Sequence, residues 1–577
     1  MTKLFRYLKS YVGAIAGVLV LVFLQCLAQL YMPDIMSRIV DEGIAGGAGT
    51  NYIIKQGGLM LLVAVGGSVA TIGAAFLASR TAAGFCKDVR HDVFEHVEKY
   101  TLNEFDQIGT ASLVTRTTND ITQMQQFLVM FLRMMLMAPM MAVGGIIMAA
   151  GKDGQLTWVL IGIIAVLFII VMLIAGRTFP LFKSMQKKVD RINLVLREKL
   201  TGIRVIRAFN KDEYERKRFD EANTDLTRTA IRIQRIMAAM MPAVMFGMNM
   251  LAVVVVWVGG HRVVNMDLGV GDLMAFIQYG MQIMMALMMA TMLFVQLPRA
   301  SAAGSRISEV LGMKPEINDP ELPQKPAEDQ RGSVEFRDVT FRYPGAEEPT
   351  LEHISFRSGP GEVTAIIGGT GSGKSTLLNL ILRFYDAESG EILVDGVNVK
   401  DMTRQELRDR IAYVPQKAVL FAGTVSENIC QGKQDATDEE VHKAASIAQA
   451  SGFVEEMEGG FEARIEQGGT NVSGGQRQRL SIARALVRKA KINLFDDSFS
   501  ALDFKTEASL RRDLAKETED ATVIIVGQRV ASIMNADHIL VLDDGRIAGI
   551  GTHQELMQGC EVYREIVASQ LSEEEIA

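Results

Sequence analysis

Cysteine is scarce in this chain, and an excess of positive charge is missing. Four cysteines among 577 residues, Cys26, Cys86, Cys430 and Cys560, stand far apart and form no CxxC pair. That indicates neither a zinc site nor a disulfide framework, and isolated thiols in a reducing compartment are expected. The net charge of −7 and pI near 5.7 supply no basic field, so nucleic acid is not an expected partner. Asp and Glu are also absent from six long apolar runs.

What is present divides the chain. At roughly 150 residues per domain the length exceeds a single core, and the 49% hydrophobic content is concentrated in the first part. Crossing a bilayer core about 30 Å thick takes roughly 20 apolar helical residues. The runs from Tyr11 to Met32, Gln56 to Ser79, Phe127 to Ala150, Leu156 to Gly176, Ile236 to Gly260 and Leu273 to Leu297 qualify. The first follows Lys3, Arg6 and Lys9, is long for a signal-peptide core and has no clear small-x-small cleavage site, so it is expected to be retained. A dense basic stretch from Arg177 to Arg207 faces a short Lys152 to Gln155 turn, which places both termini in the cytosol. The charged, helix-patterned segments Ala82 to Gln126 and Arg177 to Arg235 extend the membrane helices into the cytosol. After Leu311 the proline- and charge-rich "GMKPEINDPELPQKPAEDQRG" reads as an extended linker. The expected protein is multidomain: an all-α membrane domain of six transmembrane helices over residues 1–311, a linker over 312–332 and an α/β domain over 333–577.

That α/β domain carries nucleotide chemistry. "IIGGTGSGKST" follows the apolar "VTAII" and precedes "LLNLILRF", the strand, glycine loop and helix order of a P-loop. The glycines Gly368, Gly371 and Gly373, with Ser372, let backbone N–H groups close on phosphate oxygens. Lys374 reaches the β/γ-phosphates, Ser375 holds Mg²⁺, and Thr376 begins the helix whose N-terminal end favours anions. "KINLF" is a short apolar strand ending at Asp496, a Walker B carboxylate for the metal or its water shell.

With these segments the chain resembles an ABC exporter half-transporter over nearly its whole length. "NVSGGQRQRLSIARAL" is similar to the family's signature segment, "YVPQ" to its Q-loop ending at Gln416, "SALD" to its D-loop ending at Asp503, and "FRYPG" to its adenine-stacking loop. "GIRVIRAFNKDEYERKRF" and the six-span order match the membrane half. The resemblance implies an ATPase driving transport, with two cassettes meeting head to tail and each ATP held between one Walker A and the opposite signature. Ser473, Gly474, Gly475 and Gln476 open a helix suited to anion binding but not to folding back on the same chain's P-loop. Tyr343 is then the adenine platform, with stacking of about 1–3 kcal/mol by analogy with bases on aromatics. Gln416 becomes the γ-phosphate sensor and a metal contact. The stretches near Phe105 to Ser112 and Phe209 to Tyr214 become coupling helices.

Two positions depart from the family pattern. Asp497 stands where the family has Glu, pulling the carboxylate back by roughly 1.3–1.5 Å, and Gln528 stands where it has His, so it cannot become cationic. Loss of general-base assistance is typically worth about 10²–10⁴ in rate. The expectation is a site that binds MgATP and turns it over slowly, within a heterodimeric multidrug-type exporter whose partner half-transporter supplies the usual Glu and His. A homodimer with slow sites, or an ATP-binding membrane sensor, are the alternatives. The bacterial inner membrane is the expected location. No peptidase-like region precedes the first span, which disfavours a cleavage-coupled peptide exporter.

For cargo, expected to be hydrophobic or amphipathic compounds, peptides or lipids, polar residues inside spans are the candidates. Gln25 and Gln29 share a helical face, as do Gln278 and Gln282, and Asn249 lies mid-span. Each either faces a cavity or bridges helices. Methionines crowd the third, fifth and sixth spans, as adaptable lining or as ordinary packing.

Overall fold

The computed structural model describes residues 2–326 and 332–570; residues 327–331 of the expected linker lie outside the described residues. The chain divides into two compact units, Met1–Glu98 with Ala111–Met313, and Lys99–Thr110 with Lys314–Ala577.

Among the described residues of the first unit six helices are long and apolar enough to cross a membrane: Val12–Arg38, Thr50–Glu98, Ile121–Ala150, Gly154–Thr201, Asp212–Val264 and Val270–Val310. The second, fourth and fifth contain 49, 48 and 53 residues. At about 1.5 Å per residue they reach roughly 70–80 Å, well beyond the bilayer, as their charged, break-poor extensions require. Outward-facing Leu61, Leu62, Ile72 and Trp257 are exposed, as lipid-facing side chains must be.

The first helix continues past Met32 to Arg38, so Asp34 lies just outside the expected span, buried at 6% exposure. Its charge is matched: Lys152 Nζ sits 2.7 Å from Asp34 and 2.9 Å from Asp272. Ser37 Oγ donates to Asp272 at 2.5 Å, and Asp41 accepts from the backbone N–H groups of Gly271 and Asp272 at 2.6 and 3.0 Å. Arg262 pairs with Asp153 at 3.1 Å. The outer ends of the first and sixth helices are thereby tied to the turn between the third and fourth.

The second unit holds a six-stranded sheet in the order Arg546–Gly551, His538–Asp543, Val363–Gly368, Thr522–Val526, Ile492–Asp496, Ile411–Val414. All its pairings are parallel except the first. Strands Ile492–Asp496 and Thr522–Val526 are buried throughout, as the continuous apolar runs of a sheet covered on both faces require. A four-stranded antiparallel sheet, in the order Leu351–Ser358, Val334–Phe341, Ser389–Val394, Val397–Asn398, forms a second layer. The register pairs Ile366 with Val526 and Val526 with Asp496. The glycine loop, the Asp496–Asp497 pair and the switch segment therefore emerge together at the C-terminal edge of the sheet, where open α/β sheets place their ligands.

The short helix Leu102–Ile108 belongs to this second unit, begun by a reciprocal Thr101/Glu104 capping box. Buried Glu104 also accepts from the Glu316 backbone N–H at 3.1 Å, and Asn103 donates to the Glu316 carboxylate at 2.8 Å. The expected linker is pinned rather than free up to residue 326: Arg404 pairs with Asp319, and Gln324 N–H donates to the Asp401 carbonyl at 2.9 Å. Its extended backbone finds partners along the cassette surface.

Candidate active site

The glycine loop is shaped by backbone angles that side chains resist. Gly371 and Gly373 lie at φ +85° and +95°, and a Cβ on Gly373 would stand 2.5 Å from a Leu351 methyl. The helix Lys374–Ile381 starts directly after the loop and points its N-terminal end at it. Lys374 Nζ folds back to donate to the carbonyls of Gly368 and Gly369 at 2.9 and 2.6 Å. Ser375 Oγ donates to Asp496 Oδ1 at 2.8 Å, setting a hydroxyl and a carboxylate side by side.

Burial pushes Lys374 below and Asp496 above their ordinary pKa, with Asp497 adding to the rise at Asp496. Each group lacks sufficient counter-charge where it stands. A nucleotide's phosphates complement the first, and a divalent cation held by Ser375 and Asp496 complements the second. The donor set therefore fits MgATP.

Tyr343 is fixed beside the same helix. Its hydroxyl lies 3.0 Å from Thr376 Oγ1, and its ring meets Phe341 and Tyr385 edge-on at 4.9 and 5.2 Å. Asp497 follows the strand end at φ +46°, a left-handed conformation that short polar side chains tolerate, and its N–H donates to the Val526 carbonyl at 3.0 Å. Its carboxylate is doubly tethered: Oδ2 accepts from Gln528 Nε2 at 2.7 Å and from Gln416 Nε2 at 3.2 Å. The three expected catalytic residues thus form one hydrogen-bonded group. Gln416, expected to touch metal and γ-phosphate, here points at Asp497.

Ser473 caps the helix Gly474–Leu486: its hydroxyl accepts from Gln476 N–H at 3.3 Å, and its own N–H donates to Gln476 Oε1 at 2.8 Å. Ser473 and Gly474 are exposed, with Gly475 close to the Ala501 carbonyl of the D-loop. Asp503 is also a helix cap, accepting from Thr506 N–H at 3.0 Å, a bond that holds its carboxyl below the ordinary range.

Family models match both parts of the chain: the ABC transporter transmembrane region matches residues 15–287, and the ABC transporter domain matches residues 351–500. A bacterial Atm1-family ABC exporter solved with ATP bound superposes at a TM-score of 0.79, with 25% identity, over 97% of this chain and 99% of that one. The chain belongs to the ABC exporters. This exporter is also 42% identical to an uncharacterized ABC transporter ATP-binding protein of Mycobacterium tuberculosis, over 98% of this chain and 97% of the relative. It is 33% identical to a fatty acid ABC transporter ATP-binding/permease protein of Mycobacterium bovis, over 82% of this chain and 75% of that protein. It is an integral membrane ATPase coupled to transport, with its cassette in the cytosol.

Among the exporter's expected cargo residues, Gln282 Nε2 donates to the Gln29 carbonyl at 3.1 Å, and buried Gln25 lies with Nε2 3.9 Å from Met137 Sδ. Gln278 is exposed, and Asn249 donates to the Met245 carbonyl of its own helix at 2.9 Å. Gln29 and Gln282 are thus joined across two helices, while Asn249 bonds within its own helix.

Sequence reasoning missed Gln570. Its side chain accepts from Val530 N–H and donates to the Gln528 carbonyl, both at 2.8 Å, bracketing the switch position. No motif carries that signal, because the pairing spans 42 positions and exists only once the chain has folded.

Proposed function

We propose that this chain is one half of a heterodimeric multidrug-type exporter. Its own Walker site binds MgATP and turns it over slowly, while Ser473, Gly474, Gly475 and Gln476 complete a faster site on the partner half-transporter. The observation that carries this reading is the doubly tethered carboxylate of Asp497. An oxygen that should receive a proton from the attacking water already accepts two amide hydrogens. It also sits on a side chain one methylene shorter than a glutamate. Gln528 spends its amide on Asp497 and offers no positive charge to a γ-phosphate.

When bound with ATP, Mg²⁺ on Ser375 and Asp496 supplies charge neutralisation at the β/γ-phosphates. Lys374 holds those phosphates, Tyr343 orients the adenine, and Gln416 exchanges Asp497 for the nucleotide. Closure of two cassettes around ATP favours the outward-facing membrane bundle, and hydrolysis with release resets it. The cargo is an amphipathic or hydrophobic compound moved outward across a bacterial inner membrane. Similarity to the fatty acid transporter supports the lipid end of that range.

The test is ATP turnover by the purified chain alone and co-expressed with a candidate partner. Low turnover alone, and turnover with the partner that needs Ser473 of this chain, are the expected results. A lone wild-type dimer that hydrolyses ATP quickly, with no gain from Asp497→Glu plus Gln528→His, replaces this reading with a homodimeric exporter.

A further inference from the structure

Between the cytosolic ends of the third and sixth membrane helices lies a cavity of about 330 Å³, lined by Gln123, Gln126, Phe127 and Met130 on one helix and Gln296 and Arg299 on the other. Its depth is readable from the helices. At about 1.5 Å per residue, Gln126 lies about 36 Å along the axis from Ala150, and Gln296 about 39 Å from Val270. Both distances exceed the ~30 Å hydrocarbon core, so the cavity opens at the level of the inner-leaflet headgroups.

Its charge is one-sided. Nearby basic residues on these elements are paired: Arg306 forks onto Asp120 at 2.5 and 2.7 Å, and Arg116 reaches Glu309 at 2.9 Å. Among the described residues Arg299 has no such partner, and neither has Arg133, which lies one turn deeper on the face that carries Gln126 and Met130. A guanidinium kept at a membrane boundary without a carboxylate, flanked by amides that can donate, is equipped for a planar or tetrahedral oxyanion. Phe127 and Met130 add apolar, adaptable surface to the same lining.

We infer that this cavity takes the anionic head of an inner-leaflet amphiphile, a carboxylate or phosphate on a long acyl chain, with Arg299 as its principal anchor and Arg133 as the next station inward. This rests on the proposed outward movement of amphipathic cargo and narrows it to anionic cargo. The glutamines expected to contact cargo lie at mid-helix or nearer the outer ends of their helices, whereas the first recognition step belongs at the inner leaflet.

The test is equilibrium binding by the full chain in phosphatidylcholine nanodiscs without ATP, with empty discs subtracted. The fluorescent fatty acid cis-parinaric acid is compared with its methyl ester, and a long-chain alkyl phosphate with the corresponding alcohol. Binding is read without turnover or partner, so its outcome is separate from that of the ATPase test above. The acid and the alkyl phosphate should bind at least about tenfold more tightly than their neutral counterparts. Arg299→Gln should remove that preference, Arg299→Lys should keep part of it, and Arg133→Gln should weaken it less. Thermal midpoints equal to wild type show that the variants are folded. Equal binding of acid and ester, or an acid preference untouched in folded Arg299→Gln, overturns the inference. Competition by inorganic phosphate as strong as that of the alkyl phosphate also overturns it, since a free anion would then be the ligand.

Discussion

Asp496 and Asp497 are neighbours with opposite assignments. The first faces Ser375 and waits for a cation; the second faces two amides and is satisfied without one. Because burial and Asp497 raise the pKa of Asp496 in the fold, its contribution favours folding below the unfolded-state value and is lost as pH rises through the folded one. Near neutral pH its ionised form is a cost to the empty cassette. Asp496→Asn should therefore raise the thermal midpoint without nucleotide, by about 2–4 °C per kcal/mol relieved, while abolishing stabilisation by MgATP. Scanning fluorimetry with and without MgATP checks both signs. The same shift predicts that Mg²⁺-dependent ATP binding declines on acidification at a higher pH than the ordinary carboxylate value of 3.8 would give, since the proton competes with the metal. For Asp497, the shared tether makes the departures interdependent. Asp497→Glu alone leaves a carboxylate still bound by Gln528, so turnover of the double variant with Gln528→His should exceed the product of the single effects about tenfold or more.

Among elements, the outer ends of the membrane helices are tied together by charge. Lys152 is the single cation between Asp34 and Asp272 among the described residues, apart from Arg38 beside Asp34 at 2.8 Å. Lys152→Met leaves two carboxylates facing each other without it. Breaking a fully buried ion pair costs about 3–5 kcal/mol; here Arg38 still pairs with Asp34 and Ser37 still donates to Asp272, so the loss falls below that range, and the tied outer ends should separate more readily. Spin labels on the Gly46–Gly49 turn and on Met266 should report longer distances in the variant, with Lys152→Arg close to wild type. An unchanged distance distribution would mean that packing, rather than charge, holds these ends together.

At the scale of the whole molecule, the signature helix start is exposed and capped by its own Gln476, and in the proposed reading a second cassette brings the nucleotide to it. Ser473→Ala should lower turnover of a heterodimer at least about 100-fold if the partner's site is the fast one. If both sites contribute equally, the loss should be only about half. Single-turnover measurements on the heterodimer separate these outcomes.

Local patterns determined much of this protein. Apolar run length specified six membrane helices because a bilayer imposes its thickness on any chain that crosses it. The glycine loop, Asp496 and the signature were legible because phosphate chemistry requires particular residue types at close spacing. Asp497 and Gln528 were legible as departures, since each lies inside such a short motif. Tertiary structure alone decided that Gln416, Gln528 and Asp497 share one hydrogen-bond group and that Gln570 braces it. It likewise decided that Lys152 meets Asp34 and Asp272, and that Gln126 and Arg299 line one cavity. These partners are tens to hundreds of positions apart, and a pairing at that separation leaves no period or motif in a single sequence. It arises only when helices and strands pack and bring their faces together.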